Sequence, residues 1–307
     1  MFQKARLSVG FCLIWLSPLL ARPQEPSVPT TESLAAAHTL LHGIVDTDET
    51  WVKIHAAEAL LAGGEGPAIR AQFATFLPSI NSRVYRVGVY RVLAESAESP
   101  AEAGRLVAAV EKIYLNPRSP DRSQAVETLC KLGVRLEGQA LEQATTESVI
   151  EQAPFQPLSL WALANSGDPT AVNHLADLLT SSDERIRLDA AYALRWLHPK
   201  NATVLAALAH AADHESLKAS SYPYVTSAAF ATSSSPDRRQ AWRESLEDII
   251  ATGPAPARFE AVQGLMNDLK PEDERLVTPL LTHRERDAQV AGAWALFHLA
   301  AKPSSAK

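Results

Sequence analysis

Apolar residues along this chain recur at helical spacing and rarely alternate. In Val52–Gly64 (VKIHAAEALLAGG) the residues Val52, Ala56, Ala59 and Leu60 fall at i, i+4, i+7 and i+8, one face of a helix. The pattern returns in VYRVGVYRVLAES from Val84, DRSQAVETLCKLG from Asp121 and RIRLDAAYALRWLH from Arg185. Weaker copies lie at Leu158–Ala164, Tyr222–Ala231, Arg258–Met266 and Gln289–Leu299. Aligned on one inward column they give Leu60, Val92, Leu129, Leu163, Leu194, Phe230, Leu265 and Leu296, at intervals of 31 to 37 residues. Eight copies at such even spacing predict stacked repeats rather than two independent lobes.

Further helices lie between these. Leu106–Tyr114 and Thr203–Ala211 carry apolar stripes, as do Ala171, Val172, Leu175, Leu178 and Leu179. Several junctions pair a capping residue with proline: Ser99-Pro100, Ser119-Pro120, Asp168-Pro169 and Ser235-Pro236. The cap side chain accepts from an orphan helical N–H, and proline lacks the donor that the first turn leaves unused. Strand signals are nearly absent. The expected unit is a helix–turn–helix of about 34 residues, repeated eight times. One pair has too little apolar area to stand alone, so stacking supplies the core. The small residues Ala56, Gly88, Ala125 and Ala190 fit that close approach. The fold class expected is all-α: an α-α superhelix of about eight helix pairs over residues 33–301, drawn out as one extended arc.

The ends read differently. Lys4 and Arg6 precede an apolar run from Leu7 to Leu20, too short to cross a bilayer and interrupted by Pro18. Residues 1–21 therefore read as an export signal, with cleavage after Ala21, and the chain as periplasmic or secreted. An uncleaved N-terminal anchor is the alternative. Cys12 lacks the small preceding residue that lipid modification needs. Residues 22–32 hold three prolines without apolar periodicity and read as a flexible linker, and residues 302–307 as a disordered tail. No other stretch approaches membrane-spanning length.

Composition narrows the function. Apolar residues make up 46% and charged residues 21%, which excludes disorder. The net charge of −6 becomes −8 without residues 1–21, so nothing would neutralise phosphates and nucleic acid is excluded as a partner. Without that segment only Cys130 remains, so packing alone must stabilise the fold, with Cys130 a small buried hydrophobe.

Val52-Lys53-Ile54-His55-Ala56-Ala57-Glu58-Ala59-Leu60, and more closely Ile186-Arg187-Leu188-Asp189-Ala190-Ala191-Tyr192-Ala193-Leu194, follow a V-R-x-x-A-A-x-A-L pattern. Gly167-Asp168-Pro169-Thr170-Ala171-Val172, with Leu175, Leu178 and Leu179, supplies the turn and second helix. These residues resemble the HEAT-repeat family, in the short-repeat subtype shared with bilin-lyase subunits. The likeness covers residues 33–301 and implies fold rather than activity. Copies six and seven depart from it: Tyr222-Pro223 replaces the Val-Arg pair, and Pro254 and Pro256 crowd the next helix. Tetratricopeptide repeats share the period, but their Trp-x-x-Leu-Gly opening does not recur.

In this subtype the first-pattern helix lines the concave face, and the residue before Ala-Leu points into the groove. That column reads Glu58, Tyr90, Glu127, Trp161, Tyr192, Ala228, Gln263 and Trp294. Four aromatics in eight is high where aromatics are 7% of the chain, and flat rings on a groove bind peptides, proteins or sugars. Equally, the rings could fill gaps between repeats. The binding set taken from this reading is Trp51, His55, Tyr90, Trp161, Tyr192 and Trp294, with Arg83 and Arg86 from a basic-aromatic cluster that could hold a carboxylate or phosphate. Lys53, Arg122, Arg187 and Arg258 occupy the family's arginine column, which ties loops to adjacent repeats.

No catalytic motif is present: no Ser/His/Asp arrangement, phosphate loop or dinucleotide fingerprint. His38/His42 and His210/His214 are i, i+4 pairs, but the sequence offers neither a third ligand, so no metal and no cofactor is assigned. The HEAT-like iron hydroxylases carry repeated His-Glu dipeptides; here only His214-Glu215 occurs, so their ligands are missing. The expectation is an exported, monomeric, non-enzymatic scaffold that binds a protein or peptide partner on its concave face. An enzyme or lyase-like accessory subunit and a periplasmic carbohydrate-binding protein are the alternatives.

Overall fold

A computed structural model describes residues 29–151 and 155–301. The stretch read as an export signal, most of that read as linker and that read as tail lie outside the described residues. Among the described residues all regular structure is helical. Sixteen α-helices pair in order as α1 (Thr31–Thr47) with α2 (Trp51–Ala62), α3 (Gly66–Ala74) with α4 (Arg86–Glu95), and α5 (Pro100–Leu115) with α6 (Arg122–Lys131). Then come α7 (Gly138–Ser148) with α8 (Gln156–Ser166), α9 (Ala171–Leu178) with α10 (Glu184–Leu197), and α11 (Ala202–His214) with α12 (Tyr222–Thr232). The last are α13 (Pro236–Thr252) with α14 (Ala255–Leu265), and α15 (Glu274–Val277), flanked by 3-10 turns, with α16 (Arg286–Ala301).

Even-numbered helices form an inner layer and each packs on the next; odd-numbered helices form the outer layer. The arc expected from the repeats does not stay open. α16 packs against α14 on one side and against α1 and α2 on the other, so the inner layer is a closed ring of eight helices. The seam is both apolar and polar. α1 buries Ala37, Leu41, Ile44 and Val45. Glu274 Oε1 accepts from the Thr30 amide at 3.0 Å and from Ser33 Oγ at 2.7 Å. Thr30 also caps α1, through a bond from the Ser33 amide, so the helix starts two residues inside the stretch read as linker.

The sequence column is the core of this ring. Leu60, Val92, Leu129, Leu194, Leu265 and Leu296 are fully buried, and Leu163 and Phe230 nearly so. Ala56, Ala125 and Ala190 are fully buried too. Glycine sets the closest approaches: a Cβ at Gly88 would lie 2.5 Å from Ile54 of α2, and one at Gly264 would lie 2.4 Å from Ser227 of α12. Larger residues there would wedge inner helices apart.

Three inner helices end alike. Gly64 (φ +92°), Gly133 (φ +65°) and Gly167 (φ +100°) take left-handed conformations that admit glycine without strain. In each, the amide after the glycine bonds back to a carbonyl of the last turn, as Glu65 does to Leu60 at 3.1 Å, Val134 to Leu129 and Asp168 to Leu163. Ser99 caps α5 as expected. At Ser119-Pro120 and Asp168-Pro169 the polar residue instead shapes a turn before the helix, accepting from the amides of Asp121 and Thr170. The prolines of copies six and seven cause no break, because Pro223 and Pro256 sit in the first turns of α12 and α14.

Candidate functional site

All eight inner helices contribute to a cavity of about 510 Å³ on the ring axis. This replaces the open groove: the concave face is a lumen. No second ring is needed to wall it, since the eight-hairpin layer closes on itself.

Its wall is charged, and the charges are arranged in pairs. Arg91 Nε binds Glu58, and Arg91 Nη1 reaches Thr128 Oγ1 at 3.2 Å. Lys131 Nζ lies 2.8 Å from Glu127 Oε1, which also accepts from the Tyr192 hydroxyl at 3.1 Å. Arg185 Nε binds Asp189 at 2.8 Å. Arg195 Nη2 donates to Glu260 Oε2 at 3.2 Å, while its Nε stands 2.9 Å from Oε1 as a charge contact rather than an aligned hydrogen bond. Two of these contacts skip a neighbour. Tyr192 of α10 reaches α6 past α8, and Arg195 of α10 reaches α14 past α12. They are chords of the ring and limit its bore.

The pairing sets the protonation. Burial pushes Glu58 and Glu127 up, but the cations outweigh it: Glu58 is lowered, by Arg91 first, and Glu127 is held at about 2 by Lys131 and Arg91. Glu260 goes the other way, because burial exceeds what Arg195 returns. Burial also raises Tyr192 to about 12.

Glu95 differs from all of these. It lines the cavity with no ion pair or hydrogen bond among the described residues, and burial, then the charge of Glu58, raises it to about 7. Glu95 is exposed to solvent, at the last position of α4.

Aromatic rings form the apolar part of the wall. Trp196, 42% exposed, lies beside Tyr192, and Tyr192 packs edge-on to Tyr224 at 6.1 Å. Phe259 packs edge-on to Trp294 at 6.4 Å and against the His55 ring at 4.9 Å.

Of the residues named from sequence, His55, Tyr192 and Trp294 meet at this wall. Trp161 does not: it is 1% exposed, beneath Tyr192 at 5.8 Å and Trp196 at 6.1 Å, and supports them from behind. Trp51 and Tyr90 are half-buried against the core outside the lining, with Trp51 facing the Arg91 guanidinium at 5.9 Å. Arg83 and Arg86 are engaged internally: Arg83 binds Glu49 at 3.2 Å and stacks on Phe76, and Arg86 binds Asp121 at 2.5 Å and Ser119 at 3.0 Å. Neither is left over for an external anion. Three of the four column positions behave as the resemblance implied, with Arg122 donating to the Tyr114 carbonyl at 2.9 Å, Arg187 to that of Ser181 at 2.8 Å and Arg258 to that of Gly253 at 2.5 Å, whereas Lys53 pairs with Glu49.

Glu95, Lys131, Asp189, Arg195, Trp196, Tyr224, Phe259 and Glu260 were missed. The signal was in the sequence. His55, Gln124, Asp189 and Glu260 stand three residues before column positions, Tyr224 and Phe259 four before, and Lys131 and Trp196 four after. One helical turn either side of the column faces the same way.

The family of HEAT repeats matches residues 156–222. The match spans α8 to the start of α12 and supports the HEAT-repeat family for the chain. Among solved structures, a crystal structure of an engineered protein matches at 18% identity, over 86% of this chain and 96% of that one, with a TM-score of 0.24. An overlap that poor carries no structural argument. No curated protein matches the chain. The likeness to HEAT repeats thus rests on residues 156–222, and the hairpins either side share the stacked helical architecture.

Proposed function

We propose that this chain is an exported, non-catalytic HEAT-repeat scaffold that takes a cationic segment of a partner protein into its lumen. The observation that carries this is Glu95. The other lumen carboxylates each have a cation of their own, Arg91, Lys131, Arg185 and Arg195. Among the described residues, Glu95 is the lumen carboxylate left for an incoming charge. A lysine or arginine side chain would supply the cation, and Phe259, Trp294 and Tyr224 offer ring surface for its stem. The volume suits a short peptide segment rather than a folded domain, since ligand sites of about 300–1,000 Å³ bury most of a drug-sized molecule. Export places such a partner outside the cytoplasm.

Tryptophan fluorescence of the full chain, titrated with a lysine-rich and a glutamate-rich peptide of equal length, tests the proposal. The basic peptide should perturb Trp196 and Trp294 and bind more tightly as pH rises through 7, when Glu95 ionises. Glu95→Gln should abolish that preference. Equal binding of the acidic peptide would sink it.

A further inference from the structure

A second cluster lies away from the lumen. His38 and His42, one turn apart on α1, have ring centroids 4.5 Å apart. Both turn Nε2 toward the Glu65 carboxylate: His38 Nε2 lies 3.0 Å from Oε1 and His42 Nε2 lies 2.8 Å from Oε2. The three ligand atoms lie within 4.8 Å of one another. Glu65 was the third ligand that the sequence did not reveal, because it arrives from the turn between α2 and α3.

We infer that His38, His42 and Glu65 bind a first-row transition-metal ion, zinc(II) being the best fit. Two imidazole nitrogens and one carboxylate form a donor set of borderline character, which suits zinc and its neighbours and not calcium or magnesium. Tetrahedral arms of about 2.0–2.1 Å put ligand atoms roughly 3.3 Å apart, so small side-chain rotations bring the three onto one ion. The fourth position is left to water.

The carboxylate is held in place rather than sampled. Gly64 takes φ +92°, the Glu65 amide bonds to the Leu60 carbonyl at 3.1 Å, and the Gly64 amide bonds to that of Leu61 at 3.0 Å. This double bond-back fixes where Glu65 leaves the backbone. The two histidines need only a helix to converge. An ion here clips α1 to the α2–α3 turn, so binding stabilises the fold.

The molecule contains its own control. His210 and His214 have the same spacing on α11 and rings 4.2 Å apart, yet His214 Nδ1 bonds the His210 carbonyl, and among the described residues no carboxylate joins them in a ligand cluster. Buried Cys130 cannot compete.

The test is titration of the full chain with zinc chloride, followed by calorimetry and by Tm, and with cobalt(II), followed by its visible absorption. One ion per chain, a zinc-dependent rise in Tm and a tetrahedral cobalt spectrum are expected. His42→Ala and Glu65→Gln should each weaken binding at least about tenfold. The His210→Ala/His214→Ala double variant should bind as the unaltered chain does. All three side chains are at least partly exposed, so the variants fold, as circular dichroism will check. No binding by the unaltered chain overturns the site. So does binding that survives His42→Ala and Glu65→Gln, or binding lost on removing His210 and His214.

Discussion

Arg286, at the start of α16, donates from Nη1 to Asp48 Oδ2 at 2.9 Å, although 238 residues separate them. Asp48 caps the C-terminus of α1 and also accepts from Thr50. Burial pushes its carboxyl up, but Thr50 and Arg286 outweigh that and hold it below the usual range. An open arc of eight hairpins would leave these residues on opposite ends. Asp48→Arg and Arg286→Asp should each destabilise the fold, and the double exchange should restore about 1 kcal/mol of coupling in a denaturation cycle. Zero coupling would mean that this pair adds nothing to the closure, which would then rest on the apolar packing of α16 against α1 and α2.

Glu260 and Arg195 form the chord between α10 and α14, both strongly buried. Glu260→Ala leaves the guanidinium without its counter-charge and should cost about 3–5 kcal/mol in urea unfolding. Replacing both residues by leucine and methionine should cost less than the single change. The reverse order would show that the pair is not the buried partner set described.

Glu95 and Glu127 give opposite pH dependences. Glu95 stands near 7 folded against 4.5 unfolded, so the folded chain holds the extra proton between those values and stability falls as pH rises across them. Glu95→Gln should therefore raise Tm at pH 8 and leave it unchanged at pH 4. Allowing for the water in the lumen, the gain is about 1 kcal/mol. Glu127 stands near 2, so its contribution is present above 4.5 and lost as pH falls toward 2. Thermal melts from pH 2 to 8 check both.

Ala190 is fully buried on α10 and Gly264 meets Ser227 of α12. Ala190→Glu introduces an unpaired buried charge and should cost about 3 kcal/mol. Gly264→Val forces the α12 and α14 backbones apart and should cost about 2 kcal/mol or more. A Tm within a degree or two of the unaltered chain in either variant would contradict the packing.

The lumen was partly legible. The column before Ala-Leu named Tyr192 and Trp294, because inner helices share one register and that register is written in the repeat. It misplaced Trp161, whose position is equivalent but whose ring Tyr192 and Trp196 cover. Equivalent positions face the same way; what lies in front of them depends on neighbours. Arg83 and Arg86 looked like a basic patch for the same reason. Their partners Glu49 and Asp121 lie 34 and 35 residues off, one repeat away, and only stacking brings them into contact.

The sequence alone determined the hairpin, its number and its core. Helical period, caps, the glycine ends of α2, α6 and α8 and the eight-fold apolar column are local or periodic properties. Each acts within a turn or between adjacent copies, so one strand of letters suffices to encode it. Tertiary structure alone decided that the arc closes, that the groove becomes a lumen with one unpaired carboxylate, and that Glu65 joins His38 and His42. Closure is the sum of eight small rotations between hairpins, set by contacts such as Gly88 on Ile54 and Gly264 on Ser227. No single repeat carries that sum, and a slight error in each would leave Asp48 and Arg286 far apart.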